Sequence, residues 1–183
     1  MRGRRPLVVV VTGSECTGKT TLALELADRF GAPCSPEFAR EYLARKGAPL
    51  AGGDVEPIAQ GQVAGEDTAL AGAAGVVIKD TDLVSTVVYA QHYYGACPAW
   101  IERAAETRRG DLYLLLHPDV PWVEDGLQRD RPAGRACLHE LFTQRLSALG
   151  ARVVDITGDW PVRRAMALDA VTALLANRGQ TRV

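Results

Sequence analysis

The chain has no two cysteines at C-x-x-C spacing; Cys16, Cys34, Cys97 and Cys137 are scattered along its 183 residues. That pattern argues against a zinc site and against a disulfide framework, and it fits a reducing, cytoplasmic compartment. Net charge is also nearly missing, at −1 for pH 7, so general nucleic-acid binding has no electrostatic support. No apolar run approaches the roughly 20 residues of a membrane-spanning helix. The basic start, Arg2, Arg4 and Arg5, reads as a solvated leader: the apolar run behind it is too short for a signal peptide. There is no internal repeat and no low-complexity tract. One domain, residues 1–183, is expected, long enough to bury a core without disulfides.

What is present begins with "VVVVTGSECTGKTTLALEL", residues 8–26. Four β-branched valines predict a buried strand. Leu22, Leu26 and Phe30, four residues apart, predict one face of a helix. Between them Gly13, Gly18, Lys19 and Thr20 complete G-x(4)-G-K-[ST]. In a strand–loop–helix context this pattern binds nucleotide phosphates. The glycines let backbone N–H groups turn inward, so Gly13, Ser14, Glu15, Cys16, Thr17, Gly18, Lys19, Thr20 and Thr21 are the expected ATP-binding residues. Lys19 is expected on the β- and γ-phosphates, and the Thr20 hydroxyl on Mg²⁺.

Further strand-like runs lie at 32–35, 75–80, 111–117 and 151–156, and helical periodicity at 19–30, 37–46, 54–72, 83–94, 98–108, 136–149 and 161–177. Asp54 and Gly95 read as a helix start and a helix stop. This alternation predicts an α/β, three-layer P-loop kinase-like fold: a five-stranded, mostly parallel sheet with helices on both faces. The loop-like segment 46–57 lies between two helices and could cover a substrate pocket.

Acidic residues at strand ends supply the rest of the expected chemistry. Asp80, at the carboxyl end of "VVIKD", is placed to hold Mg²⁺. Asp82, two residues on, is either a second carboxylate for that ion or only the cap of the helix starting at Leu83. Glu37 and Arg40 flank the second strand's end, and either meet an acceptor hydroxyl or pair with each other on the surface. Arg129, Arg131 and Arg135, interrupted by Gly126, Pro132 and Gly134, read as a lid over about residues 124–136 or as a solvated loop. In a lid, their guanidinium groups would neutralise the transferring phosphoryl.

In this order, "GSECTGKTTL", "PEFAREYL", "IAQGQVAGE", "KDTDLVSTVVYAQHYYG" and "VPWVEDGLQRDRP" resemble the kinase domain of the NadR-like family over residues 7–175. The resemblance implies phosphorylation of nicotinamide riboside by ATP with Mg²⁺. By it, Lys19 and Thr20 serve the phosphates and metal, with Asp80 near the metal. It also places Glu37, Arg40 and Asp82 at the riboside, the base being Glu37 or Asp82, and Trp122 and Asp125 at a lid hinge. Bifunctional members carry an adenylyltransferase domain ahead of the kinase; with twelve residues before Gly13, a kinase alone is expected here. Nicotinamide-binding members have an aromatic residue where this chain has Pro36; Tyr42, Tyr89, Tyr93 or Trp100 could stack on the base in its place, though such aromatics more often only pack. His92 reads as a helix-surface residue. A monomer or weak homodimer is expected, with rival readings as a kinase of another small acceptor or an ATP-binding regulatory switch.

Overall fold

The computed structural model describes residues 5–122 and 134–180. Among these, β1 (Leu7–Gly13), β2 (Cys34–Ser35), β3 (Val76–Asp80), β4 (Leu112–Leu116) and β5 (Val153–Ile156) alternate with helices. The helices are α1 (Lys19–Phe30), α2 (Phe38–Lys46), α3 (Val55–Ala71), α4 (Leu83–Tyr94), α5 (Ala99–Thr107), α6 (Gly134–Ala148) and α7 (Trp160–Gln180). The sheet order is β2-β3-β1-β4-β5, and all four pairings are parallel. Parallel strands need helical crossovers, which cover both faces of the sheet.

The valines explain why β1 is central. Val9, Val10 and Val11 are wholly buried, with alternate side chains feeding the two cores. Val10 joins residues of α3, α4, α5 and α6 on one face; Val9 and Val11 join α1 and α7 on the other. Fully burying each contributes about 1.5–3 kcal/mol, so the strand leading into the phosphate loop is deeply anchored. Its register sets Val11 opposite Asp80 and Gly13 opposite Leu116, which brings three strand ends to one rim. Ligands bind at that carboxyl rim in open α/β sheets.

Helix ends follow local chemistry in part. Gly95 ends α4 at φ 74°, a conformation glycine adopts without strain. Asp54 precedes α3, but its side chain does not cap that helix. It accepts instead from the Ala51 N–H, the Tyr42 hydroxyl and the Lys46 ammonium, tying segment 46–57 to α2. Among the described residues no helix is long and apolar enough to cross a membrane.

Candidate nucleotide and acceptor site

The phosphate loop runs from the end of β1 into α1. Gly13 has φ 135°, and a Cβ there would lie 2.6 Å from the Leu116 carbonyl oxygen, so the close approach of β4 excludes any other residue. Gly18, at φ 88°, faces the Trp160 ring, 2.7 Å from where a Cβ would stand. Cys16 sits at φ 52°, a costly left-handed conformation outside glycine that clusters at ligand sites. Buried Lys19 donates from Nζ to the Ser14 carbonyl at 2.8 Å, which holds its charge inside the loop. The Thr17 hydroxyl donates to the same carbonyl at 2.9 Å.

The two residues expected at a metal, Thr20 and Asp80, are in contact. The Thr20 hydroxyl donates to Asp80 Oδ2 at 2.6 Å, across from the end of β3. Asp80 Oδ1 is buried and has no hydrogen-bond partner. Burial pushes the Asp80 carboxyl above its ordinary range, and the nearby Glu37 charge adds to the push; the Thr20 bond and the Lys19 and Arg40 charges oppose it. A buried carboxylate with one unused oxygen beside a hydroxyl is a donor set suited to a hard divalent cation.

Thr81 separates the fates of the two aspartates. Its φ of 64° is an outlier for a β-branched residue, held by its N–H donating to the Val11 carbonyl at 3.0 Å. Asp80 faces the phosphate loop, whereas Asp82 turns into the core. Asp82 Oδ1 accepts from the Val84 N–H at 3.0 Å, capping α4, and Oδ2 accepts from the Tyr113 hydroxyl at 2.7 Å. Both oxygens are engaged and the residue is 3% exposed. Burial raises its carboxyl to about 6, against the Lys79 charge. The acceptor-facing expectation for Asp82 is therefore corrected: of its two readings, the structure has the helix cap. Beneath it lies a buried ion pair, Lys79 Nζ to Glu66 Oε2 at 2.7 Å, which Arg108 joins from the surface.

A cleft of about 100 Å³ opens beside the phosphate loop. Glu37, Glu15, Gln62 and Thr81 line it with Tyr89, Tyr93 and Tyr94 of α4, and Leu50 and Ala51 of segment 46–57 form part of its wall. Glu37 precedes α2 and accepts from Arg40 Nε at 2.9 Å, the surface pair of the second reading, and it also lines the cleft. Arg40 itself does not line it. The Tyr89 and Tyr93 rings lie 6.0 Å apart and within 7° of parallel, and the Tyr93 hydroxyl donates to Glu15 at 3.1 Å. Tyr42 and Trp100 are elsewhere, donating to Asp54 and Glu56. Buried Gln62 accepts the Phe38 N–H at 3.0 Å, and its Nε2 has no partner.

Arg129, Arg131 and Asp125, with most of the expected lid, lie outside the described residues. Arg135 does not belong to a loop: it is in the first turn of α6, 5% exposed, donating to the Val120 carbonyl at 3.1 Å and the Cys16 carbonyl at 3.4 Å. Sequence reasoning missed Glu15 and Gln62 as cleft residues, and it missed Arg163. That guanidinium is wholly buried and donates to the carbonyls of Gly158, Thr17 and His117 at 2.7, 3.2 and 2.8 Å, and to Asp119. It ties the phosphate loop to the ends of β4 and β5. Only the Gly-Asp-Trp turn before it marks the position in the sequence.

Comparison with known proteins agrees with this geometry. A family profile described as the AAA domain matches residues 8–163. The trifunctional NAD biosynthesis/regulator protein NadR of Salmonella typhimurium is 28% identical over 93% of this chain and 43% of its own length. Its Escherichia coli counterpart is 33% identical over 66% of this chain and 30% of its own. The chain thus spans less than half of those relatives. A NadR protein crystallised in complex with NR superposes with a TM-score of 0.80 at 29% identity, over 94% of this chain and 52% of the other. Thymidylate kinase from Ehrlichia chaffeensis shares the fold alone, at a TM-score of 0.64 and 13% identity over 93% of this chain and 100% of the other. The chain belongs to the AAA domain family, and within it is a NadR-like P-loop domain with an α/β kinase-like fold.

Proposed function

We propose that this chain is an ATP-dependent kinase of NAD metabolism that phosphorylates nicotinamide riboside to nicotinamide mononucleotide. The observation that carries the reading is the joining of two half-sites: a complete phosphate loop, and a tyrosine-lined cleft whose charged lining residues, among the described residues, are Glu15 and Glu37. The nicotinamide of the riboside is a cation. Tyrosine faces and carboxylates attract a flat cation and offer nothing comparable to a neutral base. The solved NadR complexes with NR and with NAD and AMP-PNP support both ligand classes.

In this reading the acceptor hydroxyl lies between Glu37 and the γ-phosphate. Glu37 accepts the hydroxyl proton as the oxygen bonds to the γ-phosphorus. The bond to the bridging oxygen of the β-phosphate breaks, and ADP leaves. Lys19 and the loop N–H groups hold the phosphates in line and offset the developing charge. Mg²⁺, when bound, would be held by Thr20 and Asp80 and would neutralise the β- and γ-oxygens. Gln62 Nε2 is an unused donor for an acceptor oxygen.

The test is ATP turnover with and without added ribosides. A kinase of this kind forms ADP and phosphorylated riboside in equal amounts, and does so for nicotinamide riboside above a panel of uncharged ribosides. A preference for an uncharged riboside would reassign the acceptor. ATP hydrolysis indifferent to every riboside would favour the regulatory-switch reading.

A further inference from the structure

On the same face of the sheet as the acceptor cleft, but toward the β5 edge, three polar side chains from distant parts of the sequence converge. His117 immediately follows β4, His139 lies on α6, and Asp155 lies on β5, at the sheet's edge. His117 Nε2 and Asp155 Oδ1 are 2.8 Å apart. The two imidazole rings have centroids 4.1 Å apart. One nitrogen from each histidine and one oxygen of Asp155 all lie within 4.8 Å of one another. His139 Nδ1 is buried and has no hydrogen-bond partner. Among the described residues no other group of three histidine, cysteine or acidic side chains is drawn together in this way.

The geometry points to a transition-metal site: we propose that His117, His139 and Asp155 bind one ion of the Zn²⁺, Co²⁺ or Ni²⁺ class, apart from the Thr20–Asp80 position. An ion with bonds of about 2.0–2.2 Å in tetrahedral array sets its ligand atoms about 3.3–3.6 Å apart. The observed separations, from 2.8 Å to no more than 4.8 Å, bracket that edge, so modest side-chain rotation completes it. Imidazole donors select these ions over Mg²⁺. The histidines are half-buried and Asp155 is exposed, so the ion can enter from solvent and keep water as a fourth ligand. The cysteine spacing that argued against zinc does not bear on this set, which uses no sulfur. Such an ion would cross-link β4, α6 and β5. His117 also accepts at its carbonyl from Arg163, which in turn donates to Thr17, so the cross-link lies one side chain from the phosphate loop.

The experiment is a Co²⁺ titration of the chelator-treated full chain in excess Mg²⁺, so that oxygen-only sites are already occupied. The expected result is one Co²⁺ per chain, with visible d–d bands and no thiolate charge-transfer band, and a melting temperature raised by Zn²⁺ but not by further Mg²⁺. His139→Gln and Asp155→Asn should each weaken Co²⁺ binding by at least about tenfold, in line with the 10–100-fold cost of losing even a supporting residue. Asp155 is exposed, so its variant keeps the test valid if His139→Gln folds poorly. Absence of saturable binding, a thiolate band, or equal affinity in a folded Asp155→Asn would each overturn the proposal.

Discussion

Replacing Asp82 separates a structural carboxylate from a catalytic one. Asp82→Ala removes the cap of α4, worth about 1 kcal/mol. It also leaves the buried Tyr113 hydroxyl without an acceptor, at about 1–3 kcal/mol. The sum, about 2–4 kcal/mol, lowers the melting temperature by roughly 4–16 °C in a chain of this size. Asp82→Asn is the more informative change. Its amide oxygen can still cap α4, but its NH₂ group then faces the Tyr113 oxygen, which already accepts the Gly110 N–H at 3.1 Å. The hydroxyl hydrogen has no acceptor left, so about 1–3 kcal/mol is lost from that contact alone. The assay is thermal melting of both variants at pH 7, beside ATP binding and riboside phosphorylation by whatever remains folded. Folded Asp82→Asn should retain transfer within about tenfold, a change of 1.4 kcal/mol or less in the barrier. An unshifted melting temperature together with a 10²-fold or greater loss of transfer, a size typical of a lost general base, would refute the assignment and return Asp82 to the acceptor site.

Asp82 also has a pH signature: its carboxyl stands at about 6 in the folded chain against 3.8 unfolded. The folded state therefore holds the extra proton between those values, so this group's contribution falls as pH rises from about 4 to about 6 and is flat above. Denaturant titrations across that window should show the fall in wild type and a shallower one in Asp82→Asn. Lys19→Ala should lose phosphoryl transfer by far more than tenfold while still melting cooperatively, because the ammonium donates within its own loop, to the Ser14 carbonyl. Asp80→Asn should make calorimetric ATP binding much less dependent on Mg²⁺, because it removes the negative charge of the pair formed with Thr20.

Most of the fold was legible in the sequence because its signals are local. The β-branched runs, the phosphate loop and the amphipathic helices place all five strands and seven helices among the described residues close to their observed bounds. The contact of Thr20 with Asp80 was legible too, since a strand-end aspartate and a loop threonine meet through the sheet register. What failed depended on orientation. Nothing in "KDTD" says that Thr81 takes a left-handed conformation and sends consecutive aspartates to opposite sides. Buried Lys79 and Arg163 look like surface residues in a linear pattern, because their partners lie on other elements. Tyr89 and Tyr93, four residues apart on α4, stack on each other and line the cleft, an arrangement the helical period allows and does not require.

The central claim, that the tyrosine cleft seats a riboside whose hydroxyl meets Glu37, is tested most directly by wild type and Glu37→Gln side by side. Steady-state transfer from ATP–Mg²⁺ to nicotinamide riboside is measured together with calorimetric ATP binding. The account predicts phosphorylated riboside from wild type, and from Glu37→Gln unchanged ATP affinity with transfer slowed by about 10²–10⁴-fold. Equal rates from the two proteins, or a wild type that phosphorylates no riboside, would contradict it.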